Sequence, residues 1–317
     1  MPTNNLHEIA KQIAAPEKGI LAIDLSFSST EKRFAKYSIV STPESRHAYR
    51  SMLISTPGLS QYISSVILFD ETIRDTIPFG DLIPIIKVDE GLEDFAMKPI
   101  LRLSERLEEY KALGAKGAKA RALVTIGNER IEKNAQVSAE YAKLCQDAGI
   151  VPIVEPEVFL EGDHDLATCE EVSTRYFLAI FEELQKANVD LRGMILKPSM
   201  ILPGTESGHK ASPQEVAEAT LRVLTKTVPT SVAGIVFLSG GQSEIEATEN
   251  LNAICKIGGP WRRLTFSYNR ALQDSAMKTW AGKIENNSAA QKIFLHRAKM
   301  NSLASMGKYD SSLEANT

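Results

Sequence analysis

The chain has 317 residues, 43% of them hydrophobic and 24% charged, with a formal net charge of −4 at pH 7. That supplies a full core and argues against a nucleic-acid partner, whose phosphates demand a basic face. No apolar run approaches the length of a membrane span.

The N-terminus carries no signal-peptide pattern; residues 6–15 read as an amphipathic helix ended by Pro16. Cys145, Cys169 and Cys255 lie far apart without metal or redox spacing, which fits reduced thiols in a cytoplasmic protein. Further along, β-rich runs recur at 19–24, 64–70, 82–88, 117–123, 150–158, 193–200, 233–241 and 263–268. Helix-length sequence follows each. The clearest helix is 172–187, with Phe177, Ile180, Phe181 and Leu184 on one face. Two more are expected at 271–281 and 288–306. Strand–helix units in this number require parallel pairing, because each crossover is a helix. The apolar strands Val66-Ile67-Leu68-Phe69 and Ile235-Val236-Phe237-Leu238 suit a sheet covered on its outer face. The expected fold class is α/β: a (β/α)8 TIM barrel forming a single domain over 1–317. A doubly wound sheet would need a Gly-rich turn after the first strand, and Asp24-Leu25-Ser26-Phe27 is not one. No linker or low-complexity stretch divides the chain. The short polar tail, about 307–317, is expected to be mobile.

In such a barrel the active site lies at the C-terminal ends of the strands. Those ends carry Asp24 on strand one, Lys87 on three, Lys119 and Arg121 on four, and Glu155 and Glu157 on five. Strand six carries Lys197, strand seven ends in Ser239-Gly240-Gly241, and Arg270 follows strand eight. Lys197 is the most informative of these. The apolar run Gly193-Met194-Ile195-Leu196 delivers one lysine and Pro198 then stops the strand. A buried ammonium is costly. Lys197 therefore either snorkels into solvent or is kept for chemistry, since desolvation and nearby cations can leave a neutral amine that attacks carbonyls.

Side chains alternate along a strand, so Lys119 and Arg121 face one way, as do Glu155 and Glu157. A salt bridge between strands four and five explains either pair alone. All of these residues together make a polar mouth, in which Lys87, Lys119, Arg121, Lys197 and Arg270 form a cationic ring suited to an anion. Ser239-Gly240-Gly241 is either an ordinary tight turn or the phosphate loop common after strands seven and eight. The five histidines are scattered, Asp163-His164-Asp165 reads as a polar turn, and no metal site or Ser-His-Asp arrangement is expected. The amine remains as the catalyst.

These residues resemble those of the class I, Schiff-base fructose-bisphosphate aldolases, in the form found in animals and plants. The matching segments are Gly19-Ile20-Leu21-Ala22-Ile23-Asp24, the run from Gly149 to Glu157, Leu196-Lys197-Pro198, and the run from Thr220 to Pro229. Further matches are Phe237-Leu238-Ser239-Gly240-Gly241-Gln242-Ser243, Leu251-Asn252-Ala253-Ile254, Leu264-Thr265-Phe266-Ser267-Tyr268, and the run from Ala304 to Tyr309. The resemblance implies a lyase without metal or cofactor that splits fructose 1,6-bisphosphate reversibly into dihydroxyacetone phosphate and glyceraldehyde 3-phosphate. It implies a place in glycolysis and gluconeogenesis and, commonly, a homo-tetramer.

By the same resemblance Lys197 forms the Schiff base and Glu155 is the acid/base for carbinolamine dehydration. Lys119 holds a positive charge that helps depress the Lys197 pKa, Asp24 takes the proton from the C4 hydroxyl, and Glu157 orients the set. Ser239 and Gly240, with Gly241 beside them, and Arg270 bind the ketone-half phosphate. Ser26, Ser29 and Lys87 bind the aldehyde-half phosphate, with Arg33 and Arg121 nearby. The chain departs from the family pattern at Leu25 (usually Glu), Ala120 (usually Trp) and Asn269 (usually Gly). Asn tolerates left-handed backbone, so a phosphate-binding N–H at 269 can survive. The loop 90–102 is short, and the tail lacks a terminal tyrosine. These departures leave open an aldolase of altered specificity, acting on a monophosphate or sedoheptulose bisphosphate. A barrel kept only as a binding scaffold is the other alternative, against which the retention of Asp24, Lys119, Glu155 and Lys197 speaks.

Overall fold

The computed structural model describes residues 2–93, 96–98 and 100–316; positions 94, 95 and 99 of the short 90–102 loop, and 317 of the tail, lie outside the described residues. Eight parallel strands close into a barrel: β1 (Gly19–Ile23), β2 (Ile63–Leu68), β3 (Ile83–Lys87), β4 (Gly117–Val124), β5 (Val151–Val158), β6 (Ile195–Leu196), β7 (Gly234–Phe237) and β8 (Leu264–Tyr268). Closure is made by β1 on β8, with Ile20 opposite Ser267 and Leu21 opposite Tyr268. That pairing rules out the doubly wound sheet.

Helix α1 (Pro2–Ile13) precedes the barrel. After β1 come α2 (Phe27–Ala35) and α3 (Pro43–Ile54), and after β2 the short α4 (Asp70–Ile73). A two-stranded ribbon, Leu92–Glu93 with Ala96–Met97, separates β3 from α5 (Leu103–Ala112). The next crossovers are α6 (Ile131–Asp147), α7 (Leu166–Lys186), α8 (Pro213–Thr227) and α9 (Glu244–Ile257). The chain closes with α10 (Arg270–Trp280) and α11 (Asn287–Ser305). The starts of α8 and α9 are fixed by capping boxes, Ser212 with Glu215 and Ser243 with Glu246, so the loops leading from β6 and β7 end at defined points.

The sixth and seventh strands are clearly shorter than their expected runs, the seventh ending at Phe237. The sixth is a two-residue strand, because Leu191–Gly193 forms a 3-10 turn before it and Pro198, without an N–H, interrupts the ladder after it. Extended pairing still carries on: Lys197 N–H donates to Val154 O at 2.8 Å, and Leu238 N–H to Pro198 O at 3.0 Å.

The barrel interior has two layers. Ile20, Ala22, Ile67, Ile85, Val151, Ile153, Ile195 and Val236 fill the lower one together with Leu6, Ala10, Ile13 and Ala14 from α1 and the turn after it. At the start of β7 an added Cβ on Gly234 would lie 2.4 Å from the Ala14 Cβ, so glycine lets this plug approach. With the N-terminal end stoppered, the open mouth is at the other end. Two residues beyond Ala22, Ile85, Ile153 and Ile195 stand Asp24, Lys87, Glu155 and Lys197. The period of two thus converts an apolar floor into a charged layer above it.

The tail has contacts of its own. Tyr309 is buried, and its backbone exchanges hydrogen bonds of 3.1 and 3.2 Å with the Asn252 side chain. Its hydroxyl donates to Glu314 Oε1 at 2.9 Å, and Glu314 pairs with Arg297 of α11 at 2.5 Å. The polar tail residues are held because a buried guanidinium needs a carboxylate. Among the described residues no helix is long and apolar enough to cross a membrane.

Candidate active site

Lys197 leaves β6 into the mouth and is 4% exposed. Its ammonium does not snorkel: Nζ donates to Glu155 Oε1 on β5 at 2.7 Å. Lys119, on β4 and 3% exposed, is the hub of the cluster. Its Nζ lies 2.7 Å from Asp24 Oδ2, 3.0 Å from Glu155 Oε2 and 3.7 Å from Asp89 Oδ2. Glu155 therefore stands between the two lysines and offers one oxygen to each. The Lys119 contact to Oε2 is off the hydrogen-bond direction, and among the described residues this buried oxygen has no hydrogen-bond partner. The Lys119 ammonium holds it by charge at 3.0 Å. Further out, Arg121 reaches Glu157 Oε2 at 3.4 Å. Both β4–β5 bridges are diagonal: Lys119 pairs across the strands with Ile153, and Arg121 with Glu155. Each cation reaches two residues further up β5, as strand tilt in a barrel brings about.

The carboxylates are held differently. Burial pushes Asp24 up, but the charges of Lys119 and Lys197 outweigh it and hold the pKa down to about 2. Glu155 is likewise pushed up by burial and brought below the ordinary glutamate value by the same two lysines. Glu157 ends above its ordinary value, because burial exceeds what Arg121 offsets. Burial disfavours the Lys119 ammonium, yet Asp24, Glu155 and Asp89 together raise its pKa. Adjacent carboxyl groups with separated pKa values are the arrangement that acid–base chemistry uses.

The phosphate candidates occupy two sets of loops. Beyond β7, Ser239 is buried and Gly240 has φ +52°. Arg270 Nη2 donates to the Gly240 and Gln242 carbonyls at 3.2 and 3.4 Å, so it braces the loop. An added Cβ on Gly241 would lie 2.5 Å from Leu160 Cδ2. Beyond β1, Ser26 caps α2 by accepting the Ser29 N–H at 3.4 Å, with the two hydroxyls 3.1 Å apart. Lys87 Nζ lies 3.2 Å from Asp89 Oδ1. Arg33 is buried, donates to Asn269 Oδ1, and keeps Nε and Nη2 without hydrogen bonds among the described residues. The expectation about Asn269 is corrected: its φ is −102°, outside the left-handed region, and its side chain serves Arg33.

Two residues of the mouth were not singled out from sequence. Asp89 bridges Lys87 and Lys119 and accepts the Arg121 backbone N–H at 3.3 Å. The spacing Lys87-Val88-Asp89, which places both charges on one side of an extended chain, was its signal. Ser267 on β8 has a buried hydroxyl with no hydrogen-bond partner among the described residues. Its alternation with Phe266 and Tyr268, which pack outside the barrel, was the cue.

A closed (β/α)8 barrel whose mouth holds a buried lysine, a carboxylate bridging it to a second lysine, and anion-suited loops defines the amine-dependent lyases. The comparisons agree. The family described as Glycolytic, fructose-bisphosphate aldolase class-I, matches residues 5–317. The chain is 46% identical over 333 aligned positions to the probable fructose-bisphosphate aldolase class 1 of Xanthomonas campestris pv. campestris, covering 98% of this chain and 99% of that one. It is 44% identical to the cytosolic fructose-bisphosphate aldolase 4 of Arabidopsis thaliana, covering 95% and 82%. A solved fructose-bisphosphate aldolase of Plasmodium falciparum, in complex with TRAP and a small-molecule inhibitor, superposes with a TM-score of 0.94 at 40% identity, covering 98% and 96%. The chain belongs to the class I fructose-bisphosphate aldolase family, whose chemistry runs through a lysine Schiff base without a metal.

Proposed function

We propose that this chain cleaves fructose 1,6-bisphosphate reversibly into dihydroxyacetone phosphate and glyceraldehyde 3-phosphate through an imine at Lys197. The observation that carries the reading is the Glu155 carboxylate, 2.7 Å from Lys197 Nζ with its second oxygen 3.0 Å from Lys119 Nζ. Glu155 accepts a proton from the Lys197 ammonium, and the freed amine adds to the C2 ketone. The same acid returns the proton to the carbinolamine hydroxyl, which leaves as water. Asp24, an anion at neutral pH, takes the C4 hydroxyl proton. The C3–C4 bonding electrons move into the protonated imine, and the aldehyde half leaves. The enamine is then protonated at C3, and water hydrolyses the imine to release the ketone half and Lys197.

Lys119 places its charge between Asp24 and Glu155, while Arg121 orients Glu157. Ser239, Gly240, Gly241 and Arg270 take one phosphate, and Ser26, Ser29 and Lys87, with Arg33 near, take the other. Binding energy from these remote groups positions the bond to be broken. The reading includes a homo-tetramer acting in glycolysis and gluconeogenesis, as the resemblance implies, and a cytoplasmic location; light scattering of the purified protein tests the assembly. The activity is tested by assaying pure protein with fructose 1,6-bisphosphate in EDTA, beside Lys197→Ala. Cleavage that persists in EDTA and disappears in the variant is expected. No cleavage, or cleavage removed by EDTA and restored by zinc, would overturn the proposal.

A further inference from the structure

Asp89 has no part in the sequence of steps above, yet it joins two groups that do. It lies two residues beyond Lys87, and its side chain is 4% exposed. Its oxygens divide: Oδ1 is 3.2 Å from Lys87 Nζ, while Oδ2 is 3.7 Å from Lys119 Nζ and accepts the Arg121 N–H at 3.3 Å. The two lysines differ in freedom, since the Lys87 side chain is 19% exposed and that of Lys119 only 4%.

We propose that Asp89 is a positioning residue that couples arrival of the aldehyde-half phosphate at Lys87 to the basicity of Asp24 at the bond being broken. The proposal rests on the reading that Lys87 binds that phosphate and Asp24 takes the C4 proton. In the free site Asp89 holds Lys87. A phosphate dianion competes for the same ammonium, and the more exposed Lys87 turns to it. Asp89, a buried carboxylate that has lost one of its cations, is then drawn to the other, because an unpaired charge in a low dielectric is costly. The Asp89–Lys119 distance is the longest of the three around Lys119, so it has room to close. Lys119 moving toward Asp89 loosens its 2.7 Å contact to Asp24 and leaves that oxygen a stronger base. Binding energy from the second phosphate thereby appears in kcat as well as in KM.

The test compares fructose 1,6-bisphosphate with fructose 1-phosphate, which lacks the aldehyde-half phosphate, in the parent protein and in Asp89→Asn. The kcat advantage of the bisphosphate is expected to fall about tenfold in the variant, equivalent to about 1.4 kcal/mol. The bisphosphate KM should fall by about threefold as the competitor for Lys87 is removed, while the monophosphate KM stays within about twofold. Equal loss of kcat on both substrates with neither KM moved would indicate a merely structural residue and overturn the proposal. Should Asp89→Asn not fold, Lys87→Gln removes the other end of the coupling. Because it frees Asp89 for Lys119 without any phosphate, it should raise the kcat of the monophosphate toward that of the bisphosphate, and a change in KM alone would contradict the coupling. Borohydride trapping with dihydroxyacetone phosphate separates this from the underlying reading. Asp89→Asn should trap within about threefold of parent, and a fall in trapping that parallels cleavage would count against Asp89. A parent protein that does not trap at all would remove the Schiff-base reading itself.

Discussion

Asp24 and Glu157 occupy one mouth and respond to pH in opposite senses. Burial pushes Asp24 up from 3.8, and Lys119 and Lys197 more than reverse this, to about 2. A carboxyl lowered on folding stabilises above its unfolded pKa and loses that contribution as pH falls through the folded one, so the Asp24 share is complete above about pH 4 and fades toward pH 2. Asp24→Asn should remove this part of the acid transition and lower turnover about a hundredfold or more while folding normally. Glu155→Gln should do the same to turnover, and near-normal cleavage in either variant would remove that residue from the mechanism. Glu157 is raised above 4.5 by burial, only partly offset by Arg121. Its contribution is present below the unfolded pKa and is lost as pH rises through the folded value. Glu157→Gln is therefore expected to raise Tm at pH 7 and to lose that gain near pH 4; a lower Tm at pH 7 would contradict it. The strand-end charges were legible because the period of two fixes which side chains share the mouth. Which carboxyl each cation neutralises was not, because Glu155 and Glu157 differ only in what β4 and β6 place beside them.

The loops that carry the site hold one another. Residues 160–164 after β5 and 204–206 after β6 run backbone to backbone, with Gly204 N–H on His164 O, Thr205 N–H on Leu160 O and Glu206 N–H on Gly162 O at 2.8, 2.9 and 2.8 Å. A Cβ on Gly204 would lie 2.2 Å from Gly162 O, which no rotamer change relieves. Gly204→Ala is expected to cost about 1–3 kcal/mol, measured by denaturant unfolding, and unchanged stability would show that the two loops are not tied. At this scale the sequence spoke clearly where periodicity ran long: α7 buries Phe177, Ile180, Phe181 and Leu184 as its spacing required. It expected a helix-length segment after β2, where only the four-residue α4 forms, and it was silent on the ribbon between β3 and α5, since elements of two residues hold no full period. It overran β6, because apolar character continues past the point where Pro198 stops the ladder.

For the molecule as a whole, eight repeats of strand and helix made the closed barrel readable, and the layer of charge above an apolar floor made its active end readable. The contacts of the tail were not readable, because polarity alone says nothing of a partner such as Arg297. Its only aromatic residue, Tyr309, is occupied with Glu314 and Asn252. Deleting residues 310–317 should leave cleavage within about threefold, under about 0.7 kcal/mol of barrier. The same deletion should lower stability by about 1–3 kcal/mol, since Arg297 keeps Thr248 but loses its carboxylate. A large loss of cleavage at undiminished stability would give the tail a catalytic part. Whether Lys197 is the covalent amine is decided by borohydride reduction in the presence of dihydroxyacetone phosphate, followed by peptide mapping. One adduct is expected, on Lys197, with activity lost in proportion to labelling; an adduct on Lys119 or any other lysine, with Lys197 unmodified, would remove Lys197 from the covalent step.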